Sequence, residues 1–153
     1  MSTKYWLIKS EPDVYSIDNL AKDKVTQWDG IRNFQERNYL RDGMKVGDKV
    51  LFYHNSAYFL AVVGLCEVVK DGYPDPTAFN LNHKNFDPRS NPDDPSWYMV
   101  DIKFIQKFKK PVKLINLRAN YKLLNMKMLE RGNRLSIVPV KQEEFEEIVN
   151  MSL

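Results

Sequence analysis

The chain has 153 residues, 43% of them hydrophobic, which is enough for one well-buried core and too few to expect two. The formal charge is only +3, and the single cysteine, Cys66, excludes an internal disulfide framework and any multi-cysteine zinc site. No stretch has the form of a signal peptide or the length of a membrane span, so the expectation is a single domain over residues 1–153 in a soluble, cytoplasmic protein.

Residues 5–9 are aromatic and β-branched enough for a strand, and Glu11-Pro12 ends it because proline has no ladder donor. Ser16 is a predicted helix cap, with Ile17, Leu20 and Ala21 at helical spacing behind it as far as Asp23. A second helix is predicted over residues 33–41, with Gly43 as its stop. The stretch 43–50 fails the spacing of a phosphate-binding loop and reads as turn chemistry. Residues 48–54 and 60–69 read as a hairpin with a slightly long loop, and Cys66 in the second run reads as core. Residues 71–95 carry five of the eight prolines and predict a long loop, with Tyr73-Pro74-Asp75-Pro76 packed against the domain.

Residues 97–108 alternate, with Tyr98, Val100, Ile102 and Phe104 on one face and Met99, Asp101 and Lys103 on the other, which predicts a long half-buried strand. Short helices are predicted at 114–118 and 122–129, a last strand at 135–138, and a closing helix at 141–151 with Phe145, Ile148 and Val149 inward. Strands dominate as core builders and are not spaced as βαβ units. The expected fold class is therefore α+β, a strongly bent mixed sheet or partial β-barrel with peripheral helices.

Enzyme signatures are sparse. The two histidines, His54 and His83, have no nucleophile or metal partner in sequence; His54 reads as an ordinary hydrogen-bonding residue at a strand end and His83 as an exposed loop residue. Glu11 and Asp29 would suit an acid/base pair, but nothing in the sequence fixes their separation, and the structural reading is preferred. Residues 103–129 hold eight Lys or Arg and no acid, a pattern that suits a polyanion, so Lys107, Lys109 and Lys110 are expected to face a nucleic-acid backbone. Arg32, Asn33, Asn133 and Arg134 flank glycines and suit either a pocket rim that clamps phosphate or tight turns.

Three segments, Trp6-Leu7-Ile8-Lys9-Ser10-Glu11-Pro12, Trp28-Asp29-Gly30-Ile31-Arg32-Asn33 and Arg131-Gly132-Asn133-Arg134-Leu135-Ser136, stand in order along the chain. With Tyr73-Pro74-Asp75-Pro76-Thr77 and Trp97-Tyr98-Met99-Val100-Asp101, they closely resemble the EVE domain family, thymocyte nuclear protein type, over residues 5–148. The resemblance implies a PUA-like fold related to the YTH readers of methylated adenine and to ASCH domains. By analogy with the YTH readers, Trp28 and Trp97 become the walls around a modified base, with Ser10 and Glu11 at its edge. Glu11 stands where those readers carry asparagine, so a preference for N6-methyladenine does not carry over.

The physics agrees with that placement, because a flipped base needs aromatic faces and a few fixed edge partners. Trp28 and Trp97 lie at the ends of predicted elements, whereas Trp6 sits inside an apolar strand and reads as core. The full expected ligand set is Lys9, Ser10, Glu11, Trp28, Asp29, Arg32, Asn33, Tyr53, Trp97, Tyr98, Asn133, Arg134 and Ser136. The function expected is a monomeric, non-enzymatic module without metal or cofactor that binds DNA or RNA through a modified, methylated base. The alternatives are an enzyme acting on such a base or nucleotide, and a small-molecule or protein-interaction domain. One departure from the family pattern is Lys141, where a Ser or Thr cap is usual for the closing helix.

Overall fold

A computed structural model describes residues 2–153. In chain order it contains β1 (Tyr5–Ser10), α1 (Ile17–Asp23), β2 (Val25–Trp28), α2 (Phe34–Asn38), β3 (Lys49–Asn55), β4 (Leu60–Pro74), β5 (Tyr98–Lys113), α3 (Leu114–Ala119), β6 (Ile137–Val140) and α4 (Gln142–Met151). All six strands join one mixed sheet in the order β2-β5-β4-β3-β1-β6, with β1 parallel to β3 and every other pairing antiparallel. The sheet is open and strongly irregular in register. With its flanking helices it is the α+β, PUA-like arrangement expected.

Period-two alternation assigns the strand residues to two cores. Trp6 and Ile8 of β1 face one core together with Phe52, Val100, Ile102 and the α1 residues Ile17 and Leu20. Leu7 faces the other, with Leu51, Val62, Val138 and Ile148 of α4. Trp6 is 4% exposed and its indole donates to Asp48 at 3.0 Å, so the core reading of this tryptophan holds. Cys66 is likewise fully buried.

A bulge gives β5 its double role. Phe104 is paired with Cys66, but Gln106 is paired with Leu65, so Ile105 is the extra residue and the inside–outside parity reverses beyond it. Phe108 and Val112 therefore join the second core, while Lys107 comes to the α1 side and pairs with Asp18 at 2.8 Å. At the same level α1 docks directly on Gly64. A Cβ there would lie 2.6 Å from Ile17 Cδ1 and 2.7 Å from the Gln106 carbonyl oxygen. Gly64→Ala should accordingly destabilise the fold by roughly 1–3 kcal/mol in chemical denaturation, and an unchanged midpoint would contradict this packing.

Several boundaries differ from the sequence reading. β2 was not foreseen: it has four residues, lies at the sheet edge and takes its order from pairing with β5. β4 runs on through Pro74 and β5 through Lys113, because each supplies the other with a ladder across residues expected as loop. The predicted helix at 122–129 is instead two 3₁₀ turns, Tyr121–Leu123 and Lys127–Leu129, which bury Leu123, Met126 and Met128. The second helix ends in a π turn at Tyr39–Gly43. The last strand starts at Ile137 because Glu36 holds the residues before it: its Oε1 accepts from the Ser136 hydroxyl, from Ser136 N at 2.8 Å and from Ile137 N at 2.9 Å.

α1 is capped by Ser16 as predicted, and its first amide, Ile17 N, also donates to His54 Nε2 at 3.0 Å, the ordinary hydrogen-bonding role expected of that histidine. Lys141 supplies no side-chain cap to α4, but Glu144 reaches back to its amide at 2.9 Å. Among the described residues no helix is long and apolar enough to cross a membrane.

Candidate functional site

Trp28 ends β2 beside an open cleft of about 520 Å³. The indole is half-buried, set edge-on against Phe52 with ring centroids 5.8 Å apart and against Tyr15 at 6.2 Å. These two contacts fix the ring while part of it remains on the cleft. One wall is the end of β1, Lys9, Ser10 and Glu11; the Ser10 hydroxyl donates to the Tyr15 carbonyl and so ties that wall to the segment entering α1. Asp29 and Gly30 follow Trp28 along the rim, and Lys84 and Asn85 close the far side. Asn85 makes no side-chain hydrogen bond among the described residues, so its amide is free to serve a ligand.

The far wall comes from the proline-rich loop, which is ordered by one buried carboxylate. Asp75 is fully buried and accepts from Thr77 N and its hydroxyl, from Gly30 N at 2.9 Å, and from Arg32 Nη1 at 3.1 Å. Arg32 also donates to the Asn85 carbonyl at 2.7 Å, which holds Asn85 against the cleft. Gly30 has φ +77° and an added Cβ would lie 2.8 Å from the Asn85 amide nitrogen, so the turn after Trp28 and the loop fit closely only with glycine there. Of the segment expected to pack against the domain, Asp75 is buried and Tyr73 half-buried, whereas Pro74 and Pro76 are exposed.

Burial pushes the Asp75 carboxyl up, but its bonds from Thr77, Gly30 and Arg32 outweigh this and hold it below the usual range. Such a group adds stability above its unfolded pKa of about 3.9, and that contribution is lost as pH falls through the lower folded value. Asp75→Asn should therefore cost roughly 1–3 kcal/mol at neutral pH and make melting decline less steeply below about pH 4. Identical acid limbs for parent and variant would remove Asp75 from this role. Asp29 shifts the other way, raised by desolvation and then by Asp75, with His83 and Arg32 opposing. Burial lowers the Lys9 ammonium, partly offset by Glu36.

Trp97 does not share the cleft with Trp28. It is 5% exposed, its indole donates to Asp87 at 2.7 Å, its ring stacks on Phe34 at 4.8 Å, and Arg32 lies over it at 5.4 Å. These contacts make it a brace beneath the loop wall, and the expectation of a second wall at Trp97 is corrected. Tyr98 packs on the first core with Arg41 over its ring at 6.0 Å, away from the cleft. Asn33 caps α2 by accepting from Glu36 N, and Ser136 is bound to Glu36, so both serve the fold. Arg134 is exposed and lines neither large cavity.

A second cavity, also about 520 Å³, shares Lys9 with the first and is lined by Tyr53, Asn55, Arg118, Arg131 and Asn133 among others. Burial pushes the Tyr53 phenol up to about 12, with Arg118 acting against it. Asn133 donates to the Lys127 carbonyl and accepts from Leu135 N, which makes it a turn residue as well as a lining one. The sequence-predicted set thus divides: Lys9, Ser10, Glu11, Trp28 and Asp29 meet at the first cleft, Lys9, Tyr53 and Asn133 at the second. Tyr15, Thr26, Lys84 and Asn85 were missed. Thr26 and Tyr15 carried a signal in their closeness to Trp28 and Ser10; nothing in the loop sequence singles out Lys84 and Asn85.

Residues 4–151 match the EVE domain. Human thymocyte nuclear protein 1 is 37% identical over 168 aligned residues, spanning 97% of this chain and 74% of the human protein. Among solved structures, a hypothetical protein from Leishmania major is 42% identical with a TM-score of 0.92, covering 99% of this chain and 95% of that one. Human THYN1 protein in complex with 5-methylcytosine containing DNA is 37% identical with a TM-score of 0.91, covering 98% of each chain. An ASCH protein from Zymomonas mobilis, at 11% identity and a TM-score of 0.56, shares the fold alone. With a match over nearly its whole length and relatives of this identity, the chain belongs to the EVE domain family.

Proposed function

We propose that the Trp28 cleft holds one modified nucleobase of a DNA strand, turned out of its stack, and that 5-methylcytosine is the first base to test. The observation that carries this reading is the fixed, half-buried Trp28 indole on a cleft whose other groups include free hydrogen-bonding side chains. Stacking on an aromatic face is indifferent to base identity, so the edge must supply choice. Cytosine offers an N4 amine that a carboxylate accepts well, and Glu11 and Asp29 both stand on the cleft. Lys9 and Asn85 are donors for its O2 and N3, and Val14 gives the 5-methyl group an apolar neighbour. The DNA-bound human relative supports the same class of ligand.

Lys109 and Lys110 are exposed on β5 and remain our candidates for backbone contact, while Lys107 is engaged by Asp18. The raised Asp29 carboxyl is the one observation that favours an enzymatic reading, since a perturbed acid in a cleft suits proton transfer. The deciding experiment is a binding panel of oligonucleotides, DNA and RNA, that differ in one base, run at two salt concentrations with mass spectrometry of the recovered strand. A preference for a modified base with the strand unchanged supports the reader. Equal binding of all bases, or a converted base, overturns it.

A further inference from the structure

The second cavity has the composition of an anion site. Lys9, Arg118 and Arg131 line it, and Glu130 is the one acid among its lining residues. None of the six ion pairs among the described residues involves Lys9, Arg118 or Arg131, and the Glu36 carboxylate acts on Lys9 only from beyond ion-pair distance. Lys9 is half-buried and its ammonium lies 6.0 Å from the Tyr53 ring centre. A cation held in that way gains from an incoming anion more than a solvated surface lysine does.

The loop carrying Arg131 is also fixed in advance. Gly132 turns at φ +81°, Asn133 Nδ2 donates to the Lys127 carbonyl at 2.9 Å, and Asn133 Oδ1 accepts from Leu135 N at 3.0 Å. Arg118 Nη1 donates to the Leu129 carbonyl at 3.4 Å, leaving its other donors for a ligand. Arginine forks and a lysine converging on one concavity suit the oxygens of a phosphate.

We infer that this second cavity binds a phosphate group, and that the phosphate belongs to the strand whose base enters the Trp28 cleft. Lys9, which lines both cavities, is the point where base and backbone recognition meet. The inference rests on the base-binding reading for the identity of that strand. The phosphate of a free nucleotide has the same chemistry, so the test must separate the two sources.

The test uses the double variant Arg118→Gln with Arg131→Gln, both exposed and outside the two cores, against 5-methylcytosine and cytosine oligonucleotides across a salt series. Affinity for both oligonucleotides should fall by the same factor, tenfold or more at low salt, and the slope of log K against log salt should drop by about 0.7 to 0.9, the release expected for one neutralised phosphate. The preference for the modified base should stay. Lysine at both positions should recover most of the slope. Titration with 5-methyldeoxycytidine monophosphate assigns the source: unchanged affinity in the glutamine variant points to a strand phosphate, and a matching loss points to a free nucleotide. An unchanged salt slope together with unchanged mononucleotide binding overturns the site. If the slope drops while Trp28→Ala leaves base preference intact, the phosphate site stands and the base reading falls.

Discussion

Trp28→Ala should leave the protein folded and weaken its hold on a modified oligonucleotide about five- to 150-fold, the equivalent of roughly 1 to 3 kcal/mol of stacking. Trp28 closes an edge strand of four residues and is only half-buried, so its removal opens little of the first core. The stability cost should fall short of the roughly 3 to 5 kcal/mol typical of a fully buried tryptophan. Trp6→Ala, which empties a core position and strips Asp48 of its indole donor, is the reference for that larger loss. Melting and binding measured together decide the matter. A variant that melts as early as Trp6→Ala, or binds like the parent, would take Trp28 out of the site.

Trp97→Ala should behave like the core control, with a loss of roughly 3 to 5 kcal/mol, because the ring is nearly enclosed. Its Phe34 stack and its bond to Asp87 hold down the loop that carries Lys84 and Asn85. That bond also holds the Asp87 carboxyl below the usual range, with the Arg89 amide contributing. Binding should weaken in this variant too, but only in proportion to the fraction unfolded or to the freed loop. Trp97→Phe keeps a stacking ring without the indole donor and should fall between parent and alanine variant in melting. Full stability of Trp97→Ala with complete loss of binding would restore the tryptophan as a wall.

The strands were legible where the pattern alternates, as in the first half of β5, and where an aromatic and β-branched run stands out, as in β1, which is buried on both faces. Beyond Ile105 the pattern depends on a bulge, which exists only relative to β4 and leaves no local mark. β2 was invisible for a similar reason: Val25 to Trp28 is too short to show a period, and its order comes from β5. At the site, Lys9, Ser10, Glu11, Trp28 and Asp29 were found through the motifs of the family resemblance, which fall at the ends of β1 and β2, strands that are not neighbours in the sheet but meet at the cleft. Trp97 was misplaced because an aromatic beside polar residues looks the same whether it faces a ligand or an internal carboxylate. Asp87, its actual partner, lies ten positions back in a loop whose course is set by Asp75 and Arg32.

The grip of Glu36 on Ser136 and Ile137 spans about a hundred residues, and the strand it positions completes the sheet beside β1. β1 is thus flanked by β3 on one side and, on the other, by β6, which follows the other five strands in chain order. Until β6 leaves the ribosome, β1 keeps an unpaired edge, and Glu36 is a carboxylate without its donors. Such distant pairings slow folding and leave strand edges open to other chains. The nascent chain should therefore be most prone to aggregate until β6 has emerged, and the emergence of β6 should coincide with the gain of protease resistance.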